Sequence, residues 1–181
     1  MTTELAVKGH DQAREDSPFL WRVSIAGVKK DGPFSNFPNI ERHLMLLDGN
    51  GITLDGGGHG VGILFERLQV YSFSGDIDIS GRLSKGPISD LNLMVDRRFV
   101  SADMTGFNVI HPEKIMLKSD IHFLHLIDGS APVVIDVDGQ LTMLESGDSL
   151  EISEERALST IMQVEDSIEP PAVAFISLDF K

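Results

Sequence analysis

Apolar positions along this chain come in short bursts, not in long stripes. The runs are 20–28, 43–47, 51–55, 68–73, 77–79, 90–95, 122–127, 133–137, 141–144, 150–152 and 173–180, and most are followed within a few residues by Gly, Asp, Asn or Pro. Within several of them apolar and polar residues alternate, which is the period of a strand with one buried face. Many short strands separated by turn residues predict an all-β barrel or sandwich. The 3.6-residue period of a helix is nearly missing, and one short helix is expected, over 153–158. Asp48-Gly49-Asn50-Gly51, Asp55-Gly56-Gly57-Gly58 and Asp138-Gly139 read as hairpin turns, because Gly takes positive φ without steric cost. Residues 1–17 read as an N-terminal arm outside the packed domain.

The pattern repeats. Leu46-Leu47-Asp48-Gly49-Asn50-Gly51 recurs 80 positions later as Leu126-Ile127-Asp128-Gly129-Ser130-Ala131. A Ser-Gly-Asp turn follows each copy, at Ser74-Gly75-Asp76 and Ser146-Gly147-Asp148. Strand, Asp-Gly turn, strands, Gly-Asp turn, strand in the same order twice predicts a duplicated β half. This layout resembles the cupin jelly roll. The expected organisation is the arm 1–17 followed by one compact domain, 18–181, with a first half near 18–100 and a second near 101–181.

Composition narrows the function classes. At 181 residues and 19.8 kDa the chain can bury a sizeable core without staples. It has no Cys, so disulfides, thiolate nucleophiles and thiolate metal sites are excluded. Fifteen basic against 28 acidic residues give a net charge of −13, which opposes nucleic-acid phosphate and anionic lipid. No apolar run reaches the roughly 18 residues of a membrane helix, and residues 1–17 lack the apolar core of a secretory signal. A cytoplasmic protein with no nucleic-acid or membrane partner is expected, as monomer or homodimer.

Two stretches carry a more specific likeness. One is Trp21-Arg22-Val23-Ser24, continued by Gly32-Pro33-Phe34-Ser35-Asn36-Phe37-Pro38 and Arg42; the other is Phe73-Ser74-Gly75-Asp76 with Asp90-Leu91-Asn92-Leu93-Met94. Together they resemble the HutD family, called Ves in some enterobacteria, from about Phe19 onward. The resemblance implies a cupin-like fold with two barrels, a cytoplasmic bacterial protein and an association with histidine utilisation, through binding of a small pathway metabolite.

Strand parity sorts the candidate residues. Asp90, Asn92 and Met94 share one face of their strand, and Leu91, Leu93 and Val95 the other. Either Asp90 and Asn92 face water or they line a pocket backed by a second layer. Ser24 lies with Arg22 and Ala26, opposite Trp21, Val23 and Ile25. The stiff loop around Phe34, Ser35 and Phe37 either plugs a barrel or roofs a pocket. Arg42 shares its face with Leu44 and Leu46; its partner is Asp90 or Glu41, or the carboxylate of a ligand. The 80-residue offset sets His122 at the position of Arg42 in the second half. No His-x-His pair of the metal-binding cupin kind occurs, and His122 and His125 fall on opposite faces. No metal and no cofactor are therefore expected.

The resulting expectation is a metal-free binding protein for a small carboxylate. Its pocket would use Trp21, Ser24, Phe34, Ser35, Phe37, Arg42, Asp90, Asn92 and Met94, and a formylated or formiminated glutamate would suit it. The alternatives are a metal-independent isomerase or hydrolase with Asp90 as general base, and a protein-interaction scaffold.

Overall fold

Nearly every run of alternating residues becomes a strand because a strand can hide one face and pair its backbone on both edges. The computed structural model describes residues 1–10, 17–129, 131–153, 158–163 and 169–181. These divide into two units, Met1–Ser101 with Lys181, and Ala102–Phe180.

Unit 1 holds β1 (Thr2–Lys8), β2 (Trp21–Val28), β3 (Gly32–Pro33), β4 (Ile40–Asp48), β5 (Ile52–Asp55), β6 (Val61–Leu64), β7 (Val70–Ser74), β8 (Ser80–Leu83) and β9 (Ile88–Asp96). They form two sheets, β1-β2-β9-β4-β7 and β3-β8-β5-β6. Leu44, Leu46 and Phe73 from the first sheet and Ile52, Leu54 and Leu64 from the second build one core. The Gly-rich segment after β5 is a hairpin tip with a single 3-10 turn, Gly57–His59.

Unit 2 follows with β10 (Val100–Asn108), β11 (Glu113–Met116), β12 (Ile121–Asp128), β13 (Val133–Val137), β14 (Gln140–Leu144), β15 (Ser149–Ser153), β16 (Leu158–Gln163) and β17 (Ala172–Phe180). Its sheets are β10-β17-β12-β15 and β11-β16-β13-β14. Leu124, Leu126 and Val173 meet Val133, Ile135, Leu144 and Ile161 in its core. Apart from β1, the strand order of unit 1 is that of unit 2, and it is the order of an eight-stranded jelly roll.

The register shows how close the two copies are. β4 bulges against β9 between Leu46 and Asp48, and β12 bulges against β17 between Leu126 and Asp128, 80 residues on. In the first copy Leu46 N–H donates to Gln69 O, and Leu46 O accepts from Leu68 N–H. Leu126 makes the same pair of bonds with Asp148 O and Gly147 N–H. The partner of the Gly147 turn is therefore Leu68, and not Gly75 as the Ser-Gly-Asp match implies. Leu68 carries φ 67 where Gly147 carries φ 93. A leucine in the left-handed region leaves no Gly for the sequence to show.

Three other expectations change. Thr2–Lys8, assigned to an arm, is an edge strand paired to β2 through six residues. Residues 77–79 are not a strand; the chain re-enters the sheet at Ser80. The helix expected over 153–158 falls mostly on residues outside the described ones: Ser153 ends β15 and Leu158 begins β16. No helix among the described residues is long and apolar enough to cross a membrane.

Candidate functional site

The face of the first sheet that meets the core runs out of aliphatic residues at one end. There β9 presents Asp90, Asn92 and Met94, β4 presents Arg42, and β2 presents Arg22, Ser24, Ala26 and Val28 around a cavity of about 220 Å³. Pairing fixes this: Ser24 lies opposite Asn92 and Ala26 opposite Asp90 on one side of β9, and Arg42 opposite Met94 on the other. The loop after β3 closes the cavity with Phe34, Ser35 and Phe37, and Thr2 of β1 reaches its edge. The loop is tied down by the turn at Gly75. Phe37 N–H donates to Gly75 O, Gly75 N–H donates to Ile40 O, and Asp76 accepts from Asn39 N–H, Ser74 Oγ and Arg97.

Eight of the nine residues singled out from the sequence thus surround one cavity. Trp21 does not. It is buried on the opposite face of β2 with Val23, as strand parity requires. Thr2 lies outside the residues the sequence singles out, because β1 carries no strand pattern. Glu41 is not the partner of Arg42 either, because it stands on the other face of β4.

Arg42 is 6% exposed. Its Nη2 donates to Asn92 Oδ1 at 2.8 Å and its Nη1 to the Ser35 carbonyl at 3.3 Å. Asn92 turns its amide the other way and donates to Asp90 Oδ1. Asn92 therefore relays between a guanidinium and a carboxyl. Three rings surround the cation, with Phe73, Phe34 and Phe37 centroids 5.0, 5.4 and 5.8 Å from Cζ. Such contacts are worth up to about 2 kcal/mol each when desolvated, which offsets part of the cost of burying the charge. Burial lowers the Arg42 pKa to about 10, against the field of Asp90 which raises it, so the group is cationic at neutral pH. Burial raises Asp90 to about 7, against the opposing effect of Arg42.

Among the described residues, two polar atoms of this network have no hydrogen-bond partner: Arg42 Nε and Asp90 Oδ2. A buried group left unpaired costs about 1–3 kcal/mol, more if charged. Both residues line the cavity. A second guanidinium, Arg22, borders the cavity and is held by Glu4 of β1 at 2.8 Å.

The metal that many cupins hold does not fit here. The cavity offers guanidinium, amide, hydroxyl and one carboxyl, and contributes no imidazole; a guanidinium has no lone pair to give. Among the described residues no three His, Asp or Glu side chains converge. His122 is engaged in unit 2, where its Nε2 accepts from Ser119 N–H at 3.1 Å and its Nδ1 meets Ser177 Oγ at 3.2 Å. His125 is buried with Nδ1 2.9 Å from Ser149 Oγ, and burial lowers its pKa against the opposing influence of Asp148.

A family model, HutD, matches residues 1–168. The chain belongs to the HutD family. Protein Ves of Citrobacter koseri is 41% identical over 80 residues, which are 44% of this chain and 41% of that protein. Protein Ves of Cronobacter sakazakii is 40% identical over 80 residues, 44% of each chain. The chain thus spans about two fifths of the length of the curated relatives it matches. Among solved structures, a conserved protein of unknown function from Pseudomonas aeruginosa PAO1 superposes with a TM-score of 0.84 at 26% identity, over 99% of this chain and 91% of that one. HutD from Pseudomonas fluorescens SBW25 gives 0.76 at 23% identity, over 99% and 88%. A cupin 2 conserved barrel protein from Leptotrichia buccalis gives 0.54 at 10% identity, over 99% and 88%. The HutD-family fold is therefore cupin-like.

Proposed function

We propose that unit 1 binds a small organic carboxylate without a metal, and that the protein serves histidine utilisation by sensing such a metabolite. The observation that carries this reading is the buried Arg42 guanidinium in the cavity lining, whose Nε has no hydrogen-bond partner among the described residues. A ligand carboxylate takes the Nε–H, and the charge-assisted bond is roughly twice as strong as a neutral one. Asn92 and Ser35 suit a formyl or amide group. Asp90 suits either form of a formimino nitrogen or formyl oxygen, because near neutrality it both accepts and donates. The cavity lies below the roughly 300–1,000 Å³ of drug-sized sites, which matches a ligand the size of a formylated or formiminated glutamate. The family's link to histidine utilisation supplies that ligand class.

The test is a thermal-shift panel of histidine, urocanate, formiminoglutamate, formylglutamate and glutamate, with and without chelator. A ligand at about a hundred times its Kd stabilises by roughly 2.7 kcal/mol, and each kcal/mol moves Tm by roughly 2–4 °C at this size. A shift with one of these acids, unchanged by chelator, is expected. A flat panel removes the pathway metabolite from the reading.

One observation favours a second reading, metal-independent catalysis. Asp90 is fully buried, carries an unpartnered Oδ2 and titrates near neutrality, which are the properties of a general base. In that case turnover of the bound acid rises with pH through about 7 and is abolished by Asp90→Asn. Binding with no turnover at any pH rejects catalysis.

A further inference from the structure

Unit 2 has its own cavity, of about 410 Å³, on the face that corresponds to the site of unit 1. Counting from the shared bulge, Asp90, Asn92 and Met94 correspond to Val173, Phe175 and Ser177, and Arg42 to His122. The chemistry is inverted. In place of a guanidinium and an amide, an imidazole lies stacked on Phe175, with centroids 5.3 Å apart and planes 17° from parallel. Because Nε2 of His122 accepts from Ser119 N–H, the ring is the neutral tautomer with its proton on Nδ1, donated to Ser177 Oγ. Among the described residues no cationic side chain lines this cavity. Phe107, Ile115 and Phe175 form its apolar walls, and Asp103 and Glu113 stand at its exposed edge with Thr105.

We propose that this cavity is a second binding site, specific for a small organic cation with a flat apolar body. Its volume falls within the range of small-molecule sites. The two Phe rings give the cation and its body π faces, and the two carboxylates complement the charge. An anion meets only repulsion there, whereas in unit 1 it meets Arg42 and Arg22. The two sites of the chain therefore select ligands of opposite sign, and the second does not depend on what the first binds.

The test uses three isosteric probes, benzylammonium, benzyl alcohol and benzoate, titrated into the full ¹⁵N-labelled chain at millimolar concentration. Benzylammonium should perturb amides of β10, β11 and β17, with a Kd at least tenfold below that of benzoate. The exposed pair Asp103→Asn with Glu113→Gln should erase the preference for the cation over benzyl alcohol while leaving alcohol binding. Phe107→Ala should weaken both, and Arg42→Ala should change nothing at this site. No perturbation, perturbation confined to unit 1, equal affinity for benzoate, or a preference that survives the double substitution overturns the proposal.

Discussion

At three corresponding positions of the first sheet, unit 1 places Arg42, Asn92 and Asp90, and unit 2 places His122, Phe175 and Val173. Around these positions the copies agree. Leu44 and Leu124, Leu46 and Leu126, and Leu64 and Leu144 are all buried, and the bulge recurs at the same step. The aliphatic positions hold the jelly roll together by burying about 1.5–3 kcal/mol of apolar side chain each. Unit 2 closes the same strand order with no buried guanidinium–amide–carboxyl chain among its described residues, so the fold does not need it. A buried charge network that the scaffold can do without is costly in stability, and a ligand that completes its unpaired atoms is a physical reason to keep it. Room for the lid is a further difference. Counted along the paired strands, Gly81 of β8 stands where β16 has the buried Ile161. A Cβ at Gly81 would lie 2.6 Å from the Phe34 ring, so the aromatic wall enters unit 1 only because that side chain is missing.

Making unit 1 resemble unit 2 is the strongest way to probe this difference. The triple substitution Arg42→His, Asn92→Phe and Asp90→Val should abolish acid binding while leaving stability unchanged or raising it by about 1–4 kcal/mol, as apolar replacement of buried charges does. Denaturant unfolding reads the second effect; a large loss of stability would show the network to be structural. Arg42→Ala alone should weaken acid binding by about 100-fold, equivalent to ~2.7 kcal/mol for charge-assisted bonds. His122→Ala should leave that affinity within about twofold, and calorimetric titration compares the two.

Protonation separates the units next. The folded state holds the Asp90 proton up to about pH 7, whereas an unfolded carboxyl releases it near 4. The folded state then binds more protons across this window. Stability therefore falls as pH rises from about 4 to 7 and is level above it, with a slope from this group of up to about 1.4 kcal/mol per unit. Asp90→Asn should flatten that slope. Val173, its counterpart, contributes nothing to it. The smallest effect is at the lid: Gly81→Ala should weaken acid binding only severalfold, since the obstructing atom is the edge of a ring that can shift.

Much of this site was legible in the residues. Parity alone placed Asp90 with Asn92 and Met94, and Arg42 with the core-facing leucines. The Phe34–Phe37 loop stood out because two prolines and two rings do not float in water. What escaped has definite causes. β1 is held by backbone pairing at an edge and buries little, so its side chains carry almost no alternation, and Thr2 went with it. β10 turns Asp103, Thr105 and Phe107 toward a cavity and buries only Val100 and Met104 on its other face, so its alternation is too sparse to stand out. The turn at Leu68 hides its positive φ behind a leucine, and Gly75 was paired with Gly147 instead. Trp21 belongs to the motif that carries the resemblance, but its parity puts it on the opposite face of β2.

The central claim is that Arg42 receives a ligand carboxylate through its Nε–H, which has no partner among the described residues. The ¹⁵N–¹H resonance of its Nε, assigned by its loss in Arg42→Lys, reports this directly. On titration with formylglutamate or formiminoglutamate it should move downfield and saturate, with the proton shielded from exchange. An Nε signal that stays in place through the titration, or one that moves equally with a neutral amide lacking the carboxylate, would contradict the account.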